Sequence, residues 1–141
     1  MKISTKVRYG LKALVYIAEE SSKGRLVRIK EISEKEDISV QYLEQILYKL
    51  KNEEVIEGKR GPNGGYRIMK NPEEVTLYKL YKILDDDTKV INCNENVKET
   101  KECASESSCN SSCIWRKLDS AMKDILKSTT LAELMKNRDM I

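Results

Sequence analysis

The stretch from Ile38 to Ile68, ISVQYLEQILYKLKNEEVIEGKRGPNGGYRI, limits what this chain can fold into more than any other part of it, because a helix-period stripe runs directly into a glycine-rich basic hairpin. Leu43, Ile46, Leu47 and Leu50 fall at i, i+3, i+4 and i+7 and so share one helix face, while Gln41, Tyr42, Glu44, Gln45, Tyr48 and Lys49 take the other faces. Ser39 is placed to cap this helix with its hydroxyl, and Ile38 just before it to pack back as a hydrophobic staple. The face left outside carries amides, a phenol and a carboxylate from a defined helix start, and these are groups that match base edges in a major groove.

The second half of the stretch predicts a hairpin with Val55–Glu57 and Tyr66–Ile68 as strands and Gly58 to Gly65 as a long tip. Gly61, Gly64 and Gly65 let the tip backbone approach a partner closely, Pro62 stiffens the turn, and Lys59, Arg60 and Arg67 place positive charge where a phosphate backbone or a minor groove would lie. A surface helix or a glycine-rich loop is common on its own. In succession they form a reading helix followed by a basic wing, a known way of docking on double-stranded DNA.

The ends of the chain add to this frame. Ser4 and Thr5 are capping candidates for a first helix in which Val7, Leu11, Leu14, Val15 and Ala18 keep one face apolar, and Lys6 and Arg8 crowd its start, where cations and free amides favour a phosphate. Ser21 to Gly24 reads as a turn and Val27 to Glu34 as a short second helix through Ile29 and Ile32. Helix, short helix, turn, helix and wing make a mainly α winged helix-turn-helix. After it, Thr76 can cap a helix carrying Leu77, Leu80, Tyr81 and Leu84.

Charge agrees with that assignment. The 141 residues carry a net +3, but residues 1–70 hold 15 Lys and Arg against 10 Asp and Glu, a balance of +5, whereas residues 71–141 hold 11 against 13, a balance of −2. The half suited to a polyanion is the N-terminal one. No signal peptide and no apolar run near 18 residues is present, so a cytoplasmic protein that neither enters nor crosses a membrane is expected.

The segments STKVRYGLKAL, ISVQYLEQILYKLK and KRGPNGGYRI, and later SCIWRKLDSAMKDILKSTTLAEL, resemble those of the winged-helix regulator family that includes the iron-sulfur cluster regulator (IscR), the nitric-oxide-sensing repressor (NsrR) and the cysteine metabolism repressor (CymR). The resemblance runs over essentially the whole chain, with YLEQ and RGPNGGY as its most specific signatures. It implies a homodimeric transcription factor on a pseudo-palindromic operator. It carries the family's reading residues onto Gln41, Tyr42 and Glu44 in the helix, and onto Arg60, Gly61, Pro62, Gly64 and Gly65 in the wing.

From Thr88 to Ser112 the sequence is polar and aperiodic, and a loop of that length inside a compact protein calls for a functional reason. It holds Cys93, Cys103 and Cys109, with Cys113 just beyond, in the spacing C-x9-C-x5-C-x3-C. Disulfides, structural zinc, free thiols and an iron-sulfur cluster of the 2Fe-2S or 4Fe-4S type are each compatible with four cysteines at these spacings. The family resemblance implies the cluster. Where the cluster-binding relatives have a histidine before a tryptophan, this chain has Ser112 ahead of Trp115. Where the nitric-oxide branch has an N-terminal aspartate, it has Val7 and Arg8. The chain contains no histidine at all, so the family's fourth ligand has no match here and Cys113 is the obvious replacement, one turn from Cys109 if the last helix begins near Asn110.

In that last helix Ile114, Leu118, Ala121, Met122 and Ile125 form a stripe long enough to pack against the same helix of a second subunit, and Thr130 to Met135 adds a short helical cap. The expected organisation is a DNA-binding domain over 1–84, a cluster-binding segment over 85–112 and a dimerisation helix with its cap over 113–141. No P-loop, dinucleotide fingerprint or serine elbow is present and no histidine offers acid-base work, so an enzyme is excluded. Two functions are carried forward. One is a repressor whose operator affinity is controlled by an iron-sulfur cluster; the other is a cofactor-free winged-helix repressor controlled by thiol redox state or a partner protein.

Overall fold

The computed structural model describes residues 3–85 and 111–137. In chain order these form α1 (Thr5–Ser22), α2 (Ile29–Glu36), α3 (Val40–Asn52), β1 (Ile56–Lys59), β2 (Gly65–Ile68), α4 (Leu77–Leu84), α5 (Ser112–Ser128) and α6 (Leu131–Lys136). Cys93, Cys103 and Cys109, and with them the polar segment expected around them, lie outside the described residues. None of the described helices is long and apolar enough to cross a membrane.

Short hydroxyl side chains start four of the helices. Ser4, Ser39, Thr76 and Thr130 each accept a backbone N–H three residues on, from Val7, Tyr42, Lys79 and Glu133, at 3.3 Å in every case. Each such cap satisfies a donor that the helix itself leaves orphaned, which is worth about 1 kcal/mol. Helix α2 has no side-chain cap: Arg28 precedes it in extended backbone. The expected helix from Val27 therefore starts two residues later, because Val27 is committed elsewhere. Its N–H donates to the Tyr66 carbonyl at 3.0 Å and its carbonyl accepts from the Tyr66 N–H at 2.7 Å, a rudimentary third strand beside the hairpin.

The turn between α2 and α3 is closed by Asp37 in left-handed backbone (φ 52°) and by the Ser33 hydroxyl, which donates to the Ile38 carbonyl at 2.6 Å. Both Ile38 and Leu43 are buried, as a staple across the Ser39 cap requires. The hairpin is longer in its strands and shorter in its tip than the sequence predicts. Gly58 and Lys59 pair with Tyr66 and Gly65, and only residues 60–64 remain as the turn.

The core gathers Leu14 and Ile17 from α1, Ile32 from α2, Leu43, Ile46, Leu47 and Leu50 from α3, Ile56 from β1, and Leu80 and Leu84 from α4. Leu131 of α6 belongs to the same core. Its N–H donates to Val75 and the Leu77 N–H donates to Thr129, so the chain after α5 is joined to the start of α4 by backbone bonds at 2.8 and 3.0 Å. Helix α5 packs on α4. The face it turns inward holds the buried Asp119, whose carboxylate meets Lys123 at 2.5 Å.

Helix α1 crosses α3 and α4 at Gly10. A Cβ built there would lie 2.3 Å from Leu84 Cδ1 and 3.4 Å from Ile46 Cγ2, so the three helices meet at a notch that only a hydrogen side chain fits. Gly10→Ala is expected to cost about 1–3 kcal/mol through overpacking, read as a lower urea midpoint at unchanged slope. Leu84→Ala removes the atom that clashes, so the double mutant should lose less than the two single losses added together.

Candidate nucleic-acid interface

Because the Leu43, Ile46, Leu47 and Leu50 stripe is spent on the core, the opposite side of α3 faces solvent: Gln41, Glu44, Gln45 and Tyr48 are exposed, Tyr48 at 66%. These side chains, with Lys6 from α1 and Leu84 at the end of α4, line a surface groove of about 720 Å³. Lys6 thus joins the face of α3, whereas Arg8 is exposed on α1 and does not line the groove. Ser39 is exposed but its oxygen is already an acceptor for the helix cap. Tyr42 is half-buried, its ring set edge-on to Tyr9 with centroids 5.8 Å apart and planes at 88°. That contact pins the first turn of α3 to α1, a role the sequence did not announce because the two tyrosines are far apart along the chain.

Lys59, Arg60, Gly61 and Pro62 stand exposed on the wing, while Gly64 is buried. A Cβ on Gly64 would lie 2.2 Å from the Lys59 carbonyl oxygen and one on Gly65 would lie 2.8 Å from that of Val27, so both positions need glycine for the hairpin itself to close. They shape the ribbon that carries Arg60. Arg67 differs from its expected role: the register sets it opposite Glu57, and its Nε donates to Glu57 Oε1, so its charge is compensated on the sheet.

Beside the wing is a second cleft of about 560 Å³. It is lined by Arg28 and Lys30 from the start of α2, Lys51 from the end of α3, and Lys59 and Arg60 from the wing, together with Tyr66 and the wing glycines. The Arg28 guanidinium donates to the Pro62 carbonyl and ties the wing tip to α2. The sequence gives no local sign that Arg28 meets the wing, because the fold brings positions 34 apart in sequence into hydrogen-bond contact.

No group of three or more His, Cys, Asp or Glu that could hold a metal ion occurs among the described residues. Of the candidate ligands Cys93, Cys103, Cys109 and Cys113, the described residues include only the last, as the second residue of α5. That helix starts at Ser112 with Ser111 as its cap position, two residues after the start at which Cys109 and Cys113 would fall one turn apart within it. Along α5, Ile114 and Ile125 are 51% and 63% exposed and Trp115 is 39% exposed, with Leu118 and Met122 half-buried, so the apolar stripe stands largely uncovered.

Comparison with known proteins agrees with this architecture. Residues 3–137 match the Rrf2 family, described as an iron-dependent transcriptional regulator. The HTH-type transcriptional regulator IscR of Sodalis glossinidius is 31% identical over all of this chain and 82% of its own length. Among solved structures, CymR, the global cysteine regulator of B. subtilis, superposes with a TM-score of 0.77 at 28% identity, covering 96% of this chain and 97% of that one. IscR of T. potens superposes with a TM-score of 0.74 at 25% identity, covering 98% and 88%.

Proposed function

The chain belongs to the Rrf2 family of transcriptional regulators, and from that footing we propose a homodimeric repressor whose operator affinity is set by an iron-sulfur cluster on Cys93, Cys103, Cys109 and Cys113. As in its relatives, the work is DNA-binding regulation rather than catalysis. The observation that carries the DNA-contacting part is the polar, solvent-facing side of α3 standing next to an exposed basic wing. Gln41, Glu44 and Gln45 have the donors and acceptors to read base edges in the major groove, with Tyr42 and Ser39 at the same helix start. Arg60 is carried on the wing as a minor-groove contact beside Lys59, and Lys6 and Arg8 neutralise phosphates from α1. Gly61, Pro62, Gly64 and Gly65 give the wing its close approach. In this reading residues 1–84 bind DNA, 85–112 bind the cluster and 113–141 dimerise.

The donor set supports the cluster. Four thiolates suit iron, and the chain has no histidine to offer in place of one of them. When bound, the cluster supplies a centre that oxygen, nitric oxide or iron supply can build or remove. The chain's own part is to join that segment to both working surfaces, since it runs from α4, whose last leucine touches α1 and α3, to α5. The likeness to the cysteine regulator CymR favours the second reading, a cofactor-free repressor switched by thiol redox state or by a partner protein.

Glu44→Ala and Gln41→Ala should each cost about 1–3 kcal/mol on the preferred sequence and much less on random DNA, whereas Arg60→Ala weakens binding through the wing. Competition titrations measure this, and equal losses on specific and random duplexes for Glu44→Ala would remove that residue from base reading.

If the exposed stripe of α5 is covered by a second copy, the footprint is two-fold symmetric, with half-sites one helical turn or a multiple apart, about 10 bp per turn. Ile125→Arg should then give a monomer in light scattering and abolish the paired footprint. A wild-type chain that is monomeric at micromolar concentration refutes the dimer.

Protein purified without oxygen should be brown, with iron and acid-labile sulfide, and cluster loss should shift operator affinity at least several-fold. Alanine at any of Cys93, Cys103, Cys109 or Cys113 should fix it in the apo behaviour. A colourless protein whose DNA affinity follows thiol oxidation points to the cofactor-free repressor instead.

A further inference from the structure

We propose that the cleft between α2, the end of α3 and the wing is a seat for a backbone phosphate of the bound duplex, held by Arg28, Lys30 and Lys51. The inference rests on the reading above that α3 and the wing face DNA, and extends it from the wing to the start of α2 and the end of α3.

Three observations carry it. The first is the sign of the lining: Arg28, Lys30, Lys51, Lys59 and Arg60 surround a cleft of about 560 Å³ that no acidic side chain lines. The second is a contrast with several other cations of the winged unit, which are matched. Lys12 pairs with Glu36 at 3.8 Å, Lys23 with Glu20 at 2.8 Å, Arg25 with Glu20 and Glu31 at 2.7 Å each, and Arg67 with Glu57. Among the described residues Lys30, Lys51, Lys59 and Arg60 have no such partner. Gathering like charges without a counter-charge costs free energy that an arriving anion returns, and the anion available beside a DNA-contacting wing is a phosphodiester.

The third observation is that the cleft is built from fixed parts. The Lys51 ammonium lies 4.0 Å from where a Cβ on Gly58 would sit, so it leans on the root of the wing. Arg28 donates to the Pro62 carbonyl with one Nη, and a guanidinium has further N–H groups to present to a phosphate at the same time. Val27, next to Arg28, is paired on both sides with Tyr66. A phosphate seated here would touch α2, α3 and the wing together and set the angle at which the wing enters its groove, whatever the base sequence.

The test is the salt dependence of binding to a random-sequence duplex of about three helical turns, since phosphate contacts are sequence-independent. Lys30→Gln and Lys51→Gln are each expected to lower the slope of log K against log salt by about 0.9, and the pair by about twice that, with unchanged melting of the protein. Lys136→Gln, on α6, should leave the slope alone. Unchanged slopes for both Lys30→Gln and Lys51→Gln overturn the seat, and if Arg28→Gln alone weakens binding, Arg28 merely holds the wing. Gln41→Ala and Glu44→Ala, measured alongside on the preferred sequence, report on base reading, so the seat can fail while the repressor reading stands, or both can fail. A cleft that binds inorganic phosphate in calorimetry while the DNA slopes stay unchanged belongs to a free anion, which equally overturns the inference.

Discussion

Burial of four side chains, Leu43, Ile46, Leu47 and Leu50, decides which face α3 turns to solvent. All four are at most 1% exposed, and burying each fully is worth about 1.5–3 kcal/mol, far more than any surface contact on the same helix can return. Helix α3 therefore cannot rotate about its axis without exposing that stripe, and the side opposite it is presented as a rigid consequence. The Ser39 cap, the left-handed Asp37 before it and the Tyr9–Tyr42 contact fix where the helix begins. Burial fixes which way it faces.

The same core reaches past the wing. Leu84 touches α1 at Gly10, Leu131 sits beside residues of α1 and α4, and backbone bonds join residues 129–132 to residues 72–77. The chain after α5 is thus returned to the winged unit, and α5 is anchored through its C-terminal end. Its exposed isoleucines and tryptophan lie on the part of the helix that the core does not claim. Inside the unit charge is sorted in a similar way. Glu20 is held below the ordinary carboxyl range by its hydrogen bonds from Lys23 and Arg25, and Arg25 is held protonated by Glu20 and Glu31, while Lys30, Lys51, Lys59 and Arg60 line the cleft beside the wing.

What could be read from the sequence was what is local. The 3.6-residue period of α3, the hydroxyl caps at Ser4, Ser39 and Thr76, and the wing's glycines are all specified within a few positions of one another, and the fold keeps them. The misreadings came from pairing across distance. Val27 falls outside its expected helix because Tyr66 takes both its backbone groups, which nothing nearby in sequence indicates. Arg67 is not the free cation its place in the sequence suggests, because its partner Glu57 is fixed only by the hairpin register. Arg28 shows no local sign of its tie to the wing tip because its partner there, Pro62, is 34 positions on. The cysteines were legible as a donor set and no more, since their spacing follows no element whose geometry a period could give.

The two glycines behind the wing tip narrow the evolutionary routes open to a protein on this frame. Gly64 and Gly65 sit against the carbonyls of Lys59 and Val27 with no room for a methyl group, so substitution there breaks the ribbon before it can redirect it. Arg60, Pro62 and Asn63 are exposed and free to vary without that penalty. New operator preferences therefore have to arise by exchanging side chains on an unchanging ribbon and on the outer face of α3, one residue at a time, and the shape of the wing is inherited whole.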